Sequence, residues 1–251
     1  LKKVNSNHLL TKVKAVCVSQ KPRPEDGSYM PCFLAGLTFA EGIAAALGVK
    51  LIKKSHQEGH ICAAIYATNN DNLYTKKHLA FHISGGTTEM LLCNGTLINE
   101  CIGKSTDLYA GQAVDRLGVK LGFTFPSGVM VSEFAERCNE EINPTVSVNS
   151  TSCSLSGLQN KCEKLLNDGK SQEYVCKFCL ISIAKTVTKM VENAREIYGC
   201  LPVVCAGGVM SSSVIKTYVT NNCKDIFFVD GKYASDNAIG LAILAAREGF
   251  N

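Results

Sequence analysis

The chain has 251 residues, 46% of them hydrophobic, enough for one large core or two packed lobes. Its 26 basic and 22 acidic residues leave a net charge of +4, too small a surplus to argue nucleic-acid binding from charge alone. No run of eighteen apolar residues and no basic-then-apolar leader occurs, so a cytoplasmic protein with no membrane partner is expected.

Val13 to Ser19 is a β-branched apolar run and reads as a buried strand, and the Pro- and Gly-containing stretch from Lys21 to Pro31 reads as a loop. Phe33 to Leu47 carries apolar residues at helical spacing and stops at Gly48, before a short strand around Lys50 to Lys53. A helix bearing His56 and His60 follows at once and continues to Thr68. Leu79 to Ile83, Glu89 to Cys93 and Leu97 to Cys101 are short apolar runs split by Gly-containing turns, the pattern of an antiparallel meander. Helices are expected over Asp107 to Leu121 and Val129 to Cys138, either side of a Pro126-Ser127-Gly128 turn. Residues 139 to 157 are polar and read as a lobe connection or a surface hairpin. Helices over Gly157 to Asn167 and Ser171 to Tyr198 lead to a strand, Leu201 to Ala206. A helix from Ser212 to Thr220, a strand from Asp225 to Val229 and a helix from Ser235 to Arg247 complete the pattern. Hairpins mixed with strand-to-helix units argue for a two-lobed α/β protein.

The thirteen cysteines are scattered through apolar runs such as Val16-Cys17-Val18 and read as buried thiols of a reducing compartment. Cys176 and Cys179 form the single Cys-x-x-Cys, at ordinary core spacing on an apolar helix face. The start at Leu1-Lys2-Lys3 reads as that of a fragment or excised domain.

The chemistry concentrates in a few places. His56 and His60 are one helical turn apart, so both imidazoles can reach one divalent metal, but a third ligand must come from elsewhere. Only His8, His78 and His82 are left as further imidazoles. Ser84-Gly85-Gly86-Thr87-Thr88 is a hairpin turn whose glycines admit a bulky ligand and whose hydroxyls can donate to anionic oxygens; a tight turn alone would also explain it. Gly207-Gly208 follows a buried strand and is expected to open a helix, where free N–H groups face an anion. Two such elements fit a nucleotide with its phosphates between lobes. Asp115, among small residues, is either a ribose partner or part of a solvated helix face. Asp236 is either a helix cap or a metal ligand.

In matching order, His56-x-x-x-His60, Ser84-Gly85-Gly86, the Ala110-to-Asp115 stretch, Pro126 with Gly128, Ser156-Gly157-Leu158, Gly207-Gly208-Val209 and Asp236-Asn237-Ala238 resemble the TsaD family. Its members are threonylcarbamoyladenosine-forming tRNA transferases, once described as O-sialoglycoprotein endopeptidases. The resemblance implies the two-lobed actin/hexokinase/Hsp70-like (ASKHA) α/β fold, with the N-terminal strands missing, an incomplete N-terminal lobe over 1–110 and a C-terminal lobe over 111–251. It implies an acyltransferase that uses a divalent metal, Fe or Zn, held by His56, His60 and Asp236, with His82 as a further donor. It also implies an adenylate or ATP ligand on Ser84, Gly85, Gly86, Thr87, Asp115, Gly128, Gly207, Gly208 and Ser212. The implied partners are tRNA and other subunits of a tRNA-modification complex.

Departures from the family pattern stand beside these matches. Gln112 takes the place of a glutamate, Ser212 that of an asparagine, and Lys21-Pro22-Arg23-Pro24 that of a Gly-Pro-Gly. They favour, as the rival reading, a nucleotide-binding scaffold or assembly partner. A metallopeptidase reading fails on helix geometry, because Glu58 lies about 200° round the helix from His56 rather than the about 100° of a His-Glu-x-x-His site.

Overall fold

A 3-10 turn, Leu10–Lys12, and then two parallel strands joined by a helix begin the described part of the chain, in a computed structural model that describes residues 10–229, 233 and 238–249. The chain divides into two compact units, residues 1–74 with 236–251 and residues 75–235.

In the first unit β1 (Ala15–Lys21) pairs in parallel with β2 (Lys50–Ser55), Ala15 opposite Lys50 and Val18 opposite Lys53. Parallel pairing requires a crossover, and α1 (Pro31–Leu47) supplies it. Proline opens α1 where its missing N–H is harmless, and Gly48 ends it in the left-handed region at φ +64°, as the sequence pattern predicts. β2 runs directly into α2 (His56–Ala67), which buries Ile61, Cys62, Ala64 and Ile65. A helix from Ile239 to Glu248 packs on α2; Lys54 pairs with Glu248, and the Arg247 guanidinium lies over the Tyr74 ring.

The second unit is built on a five-stranded sheet. β3 (Lys77–Ile83), β4 (Thr88–Asn94) and β5 (Leu97–Lys104) form the expected antiparallel meander. α3 (Ala110–Lys120) and α4 (Gly128–Glu136) follow. The polar stretch contains a small hairpin, β6 (Ser147–Asn149) with β7 (Ser152–Ser154). Next come α5 (Ser156–Asn167) and the long α6 (Gln172–Tyr198). β8 (Val203–Ala206), α7 (Ser213–Asn222) and β9 (Ile226–Phe228) complete the unit, with strand order β5-β4-β3-β8-β9 and parallel pairing of β3 with β8 and β8 with β9. Alternation along β3 sends Leu79, Phe81 and Ile83 to one face, where they meet Val175, Leu180, Ile183 and Met190 of α6 in the core. Cys176 and Cys179 belong to that core, and burial pushes the Cys176 thiol up to about 12, so neither is poised for redox or metal chemistry. All thirteen cysteines are free; Cys32 and Cys200, unlike most, are exposed rather than buried as expected.

Three expectations differ from what is observed. The helix expected from Asp107 begins at Ala110, because the Asp107 carboxylate accepts from the Leu108, Leu155 and Ser156 amides and from the Ser154 hydroxyl, which makes it a bracket between segments. The strand before Gly207 leads first into a single 3-10 turn, Gly208–Ser211, and only then into α7. The boundary expected at residue 110 falls inside the second unit, because β3 pairs with both β4 and β8. No helix among the described residues is long and apolar enough to cross a membrane.

Candidate functional site

The histidine pair sits at the very start of α2. Ser55 is its N-cap: the Ser55 hydroxyl accepts from the Glu58 amide at 3.2 Å, and Glu58 Oε2 accepts from the Ser55 amide at 2.7 Å, a reciprocal capping box. The Glu58 carboxylate is therefore engaged by the helix end, which agrees with the angular argument against a Glu58-based peptidase. His56 Nε2 and His60 Nε2 approach to 3.0 Å, with ring centroids 4.4 Å apart and nearly perpendicular planes. Two nitrogens on one tetrahedral metal at about 2.0–2.1 Å are about 3.3 Å apart, so the pair needs only a small adjustment to grip one ion. The donor set fits a borderline divalent metal such as iron or zinc. His82 lies on β3 in the second unit, opposite Glu89 in the register, and Asp236 lies outside the described residues. Among the described residues no group of three or more His, Cys, Asp and Glu side chains forms a metal cage.

The second unit contains a cavity of about 510 Å³ that gathers Gly85, Asp115, Gly128, and Gly208 with Ser212 from four separate segments. A close approach of backbones creates it. The Gly111 amide donates to the Ser84 carbonyl at 3.2 Å, and a Cβ on Gly111 would stand 2.5 Å from that oxygen and 2.6 Å from Gly85 Cα. Only glycine lets the hairpin rest on the start of α3 this closely. The Thr88 hydroxyl accepts from the Ala110 amide at 2.9 Å and completes the seam. The first amides of α3 are thus taken by the hairpin instead of being offered to an anion. At the far wall, Asp115 Oδ1 accepts from the Ser127 amide at 2.8 Å and so fixes the turn that presents Gly128.

Four predicted residues do not line this cavity. Ser84, Gly86 and Thr87 close the hairpin itself: the Ser84 amide donates to the Thr87 carbonyl at 2.8 Å and the Gly86 amide to the Ser84 hydroxyl at 3.4 Å. Gly207, at φ +101°, packs against the backbone of Ile83. Because the segment after it is a short 3-10 turn, the expected dipole-assisted anion site at a helix start is not formed there; Gly208 contributes wall instead.

Sequence reading missed the α4 wall. Ser132, Glu133 and Glu136 line the cavity beside Ser211 and Ser213. The Ser132 and Ser212 hydroxyls are 2.8 Å apart, and the Ser213 hydroxyl donates to Glu136 Oε1. The one available signal was the apolar spacing Val131, Phe134, Ala135, which leaves these residues on another face of the helix. The cavity therefore has carboxylates and hydroxyls on the α4 and α7 side and bare glycine backbone at Gly85. That distribution suits a ligand with several hydroxyl or amine donors at one end and a compact anion at the other.

Residues 4–243 match the family profile described as TsaD: tRNA N6-adenosine threonylcarbamoyltransferase. A protein of that name from Neorickettsia sennetsu is 26% identical, over 96% of this chain and 75% of its own length. Another from Mesoplasma florum is 28% identical, over 96% of this chain and 78% of its own length. Among solved structures, full-length HypF in its phosphate- and nucleotide-bound form superposes with a TM-score of 0.69 at 11% identity, over 98% of this chain and 41% of that one. T. kodakarensis HypF gives a TM-score of 0.66 at 14% identity, over 86% of this chain and 39% of that one. The chain thus spans about two fifths of the HypF chains, and the likeness is one of fold alone, mixed α/β. From the profile match over nearly its whole length, the chain belongs to the TsaD family.

Proposed function

We propose that the chain transfers a threonylcarbamoyl group from threonylcarbamoyl-adenylate to the exocyclic amine of an adenosine in tRNA. The observation that carries this is the gathering of Gly85, Asp115, Gly128, Gly208 and Ser212 around one cavity, in a chain whose relatives bear the name of that transferase. In the reaction the amine nitrogen attacks the carbonyl carbon of the mixed anhydride. A C–N bond forms, the C–O bond to phosphate breaks, the electron pair leaves with AMP, and the amine gives up one proton.

The residues divide the work by chemistry. Asp115 and the hydroxyls of Ser132 and Ser212 receive the donors of the nucleoside, while the hairpin glycine at Gly85 lets backbone come close to the phosphate. The proposed nucleotide set also includes Ser84, Gly86, Thr87 and Gly207, which hold the hairpin and its neighbour in shape. Holding the adenylate fixes its carbonyl, and the entropy spent in binding is then not spent in the transition state. His56 and His60, with Asp236, are the residues that would hold a divalent iron or zinc. When bound, such an ion supplies Lewis-acid polarisation of the carbonyl.

The test is turnover of the purified chain with threonylcarbamoyl-adenylate, a tRNA transcript and added iron or zinc, read as AMP released and modified adenosine formed. Equal amounts of both are expected. Nucleotide binding without release of AMP would instead identify a scaffold, the role that Gln112 and Ser212 leave open.

A further inference from the structure

Beside the nucleotide cavity lies a second one of about 610 Å³, also within the second unit, and the two share Gly85 and Asp115. Its remaining wall differs in kind. Where the first carries Glu133 and Glu136, the second carries both local cations, Arg116 and Lys120, together with the amide of Gln112 and the ring of Phe125. Gln112, Arg116 and Lys120 follow at four-residue steps and so lie along one face of α3. Phe125 is 70% exposed and, with Val119, gives the cavity an apolar surface beside the charged groups. We infer that this second cavity is where the acceptor nucleotide of the RNA docks, its base stacked on Phe125 and its flanking phosphates on Arg116 and Lys120. The inference rests on the transferase reading above.

Three observations support it. A transfer reaction brings two ligands together, and shared walls at Gly85 and Asp115 put a group in one cavity next to a group in the other. An aromatic face, an amide and two cations are the elements that recognise an unstacked base: stacking for the ring, paired donor and acceptor for an adenine edge, and charge for the backbone. Gln112 Oε1 accepts a long, weak bond of 3.4 Å from the Tyr109 amide, one that a base can replace. Where the family pattern has a glutamate, this chain presents a group that can both donate to and accept from the base.

The bland reading is a solvated helix face. Arg116 donates to Gln159 at 3.1 Å and Lys120 pairs with Glu163 at 3.1 Å, both reaching α5. These contacts aim the cations without consuming them, since exposed ion pairs contribute little and a guanidinium has donors to spare.

The experiment is binding of a fluorescently labelled tRNA transcript to the whole chain, with ATP titrated in parallel. Phe125→Ala should weaken tRNA binding about tenfold or more, the usual loss of one base–aromatic stack. Arg116→Gln with Lys120→Gln should lower the slope of log affinity against log salt by about 1.4, two single-strand phosphates released. ATP affinity should stay within twofold of wild type in every variant. If wild type binds tRNA and the variants bind it equally, with the same salt slope, the pocket assignment is overturned and the transferase reading stands. If wild type binds no tRNA at all, both fall.

Discussion

One added methyl group at Gly111 tests whether the cavity is built by backbone contact between the hairpin and α3. In Gly111→Ala the new Cβ would stand 2.5 Å from the Ser84 carbonyl oxygen and 2.6 Å from the backbone of Gly85, where ordinary contact begins at 3.4 Å. Something must move by about 0.9 Å, and every atom in the way is backbone. Overpacking of this kind costs about 1–3 kcal/mol, and the better helix propensity of alanine offsets at most about 1 kcal/mol of it. The net loss of stability is then about 0–2 kcal/mol, small enough for the protein to fold. The effect on the ligand is larger, because the displaced atoms include the Gly85 wall and misplacements near 1 Å cost on the order of 100-fold where groups must be oriented. Calorimetric titration with ATP should show affinity reduced at least about tenfold. Gly36→Ala is the control: it is helical, meets nothing within 4 Å, and should gain about 0.5–1 kcal/mol with ATP binding unchanged. A Gly111→Ala protein with wild-type ATP affinity and stability would refute the reasoning.

Other expectations follow from single contacts. Asp115→Ala leaves the Ser127 amide without its acceptor, so chemical denaturation should report a loss of about 1–3 kcal/mol and titration a loss of ATP binding. Glu58→Ala breaks the capping box and should cost about 1 kcal/mol of stability while transfer continues; a loss of all activity in a folded variant would restore a catalytic role to Glu58. Burial pushes the Asp107 carboxyl up, but bonds from Ser154, Leu155, Ser156 and Leu108 outweigh it and hold the group well below its usual 3.8. A depressed carboxyl contributes stability that is present above 3.8 and is lost as pH falls below it toward the folded value. Unfolding curves from pH 7 to pH 2 should therefore show a steeper acid limb for wild type than for Asp107→Asn, which should itself be weaker at pH 7 by about 1–2 kcal/mol through lost hydrogen bonds.

Local pattern carried far in this chain, and its limits are physical. The β3–β5 meander, the stop of α1 at Gly48 and the helical histidine pair all depend on neighbours in sequence, and all appear as the pattern predicts. The pairing of β3 with β8 joins Ala80 to Val204, and no local periodicity encodes it, which is why the boundary expected at residue 110 cuts across a continuous sheet. The helix expected from Ser212 begins at Ser213, but Gly207-Gly208, expected to open a helix, is followed by the four-residue 3-10 turn Gly208–Ser211, which a strand-to-helix pattern in sequence does not distinguish from an α-helical first turn. Motif residues split in the same way. Gly85, Asp115, Gly128, Gly208 and Ser212 face the cavity, whereas Ser84, Gly86, Thr87 and Gly207 hold backbone, and short motifs do not distinguish lining from scaffolding. Ser132, Glu133 and Glu136 resemble any solvated helix face until the fold turns them toward a cavity.

The claim at the centre of this account is chemical, and mass spectrometry of nucleosides reads it directly. A tRNA transcript incubated with the chain, threonylcarbamoyl-adenylate and iron or zinc, then digested to nucleosides, should contain threonylcarbamoyladenosine in amounts equal to the AMP released. His56→Ala should lose the product and the bound metal together. A wild-type chain that leaves every adenosine unmodified under those conditions, or a His56→Ala chain that keeps both product and metal, would contradict the account.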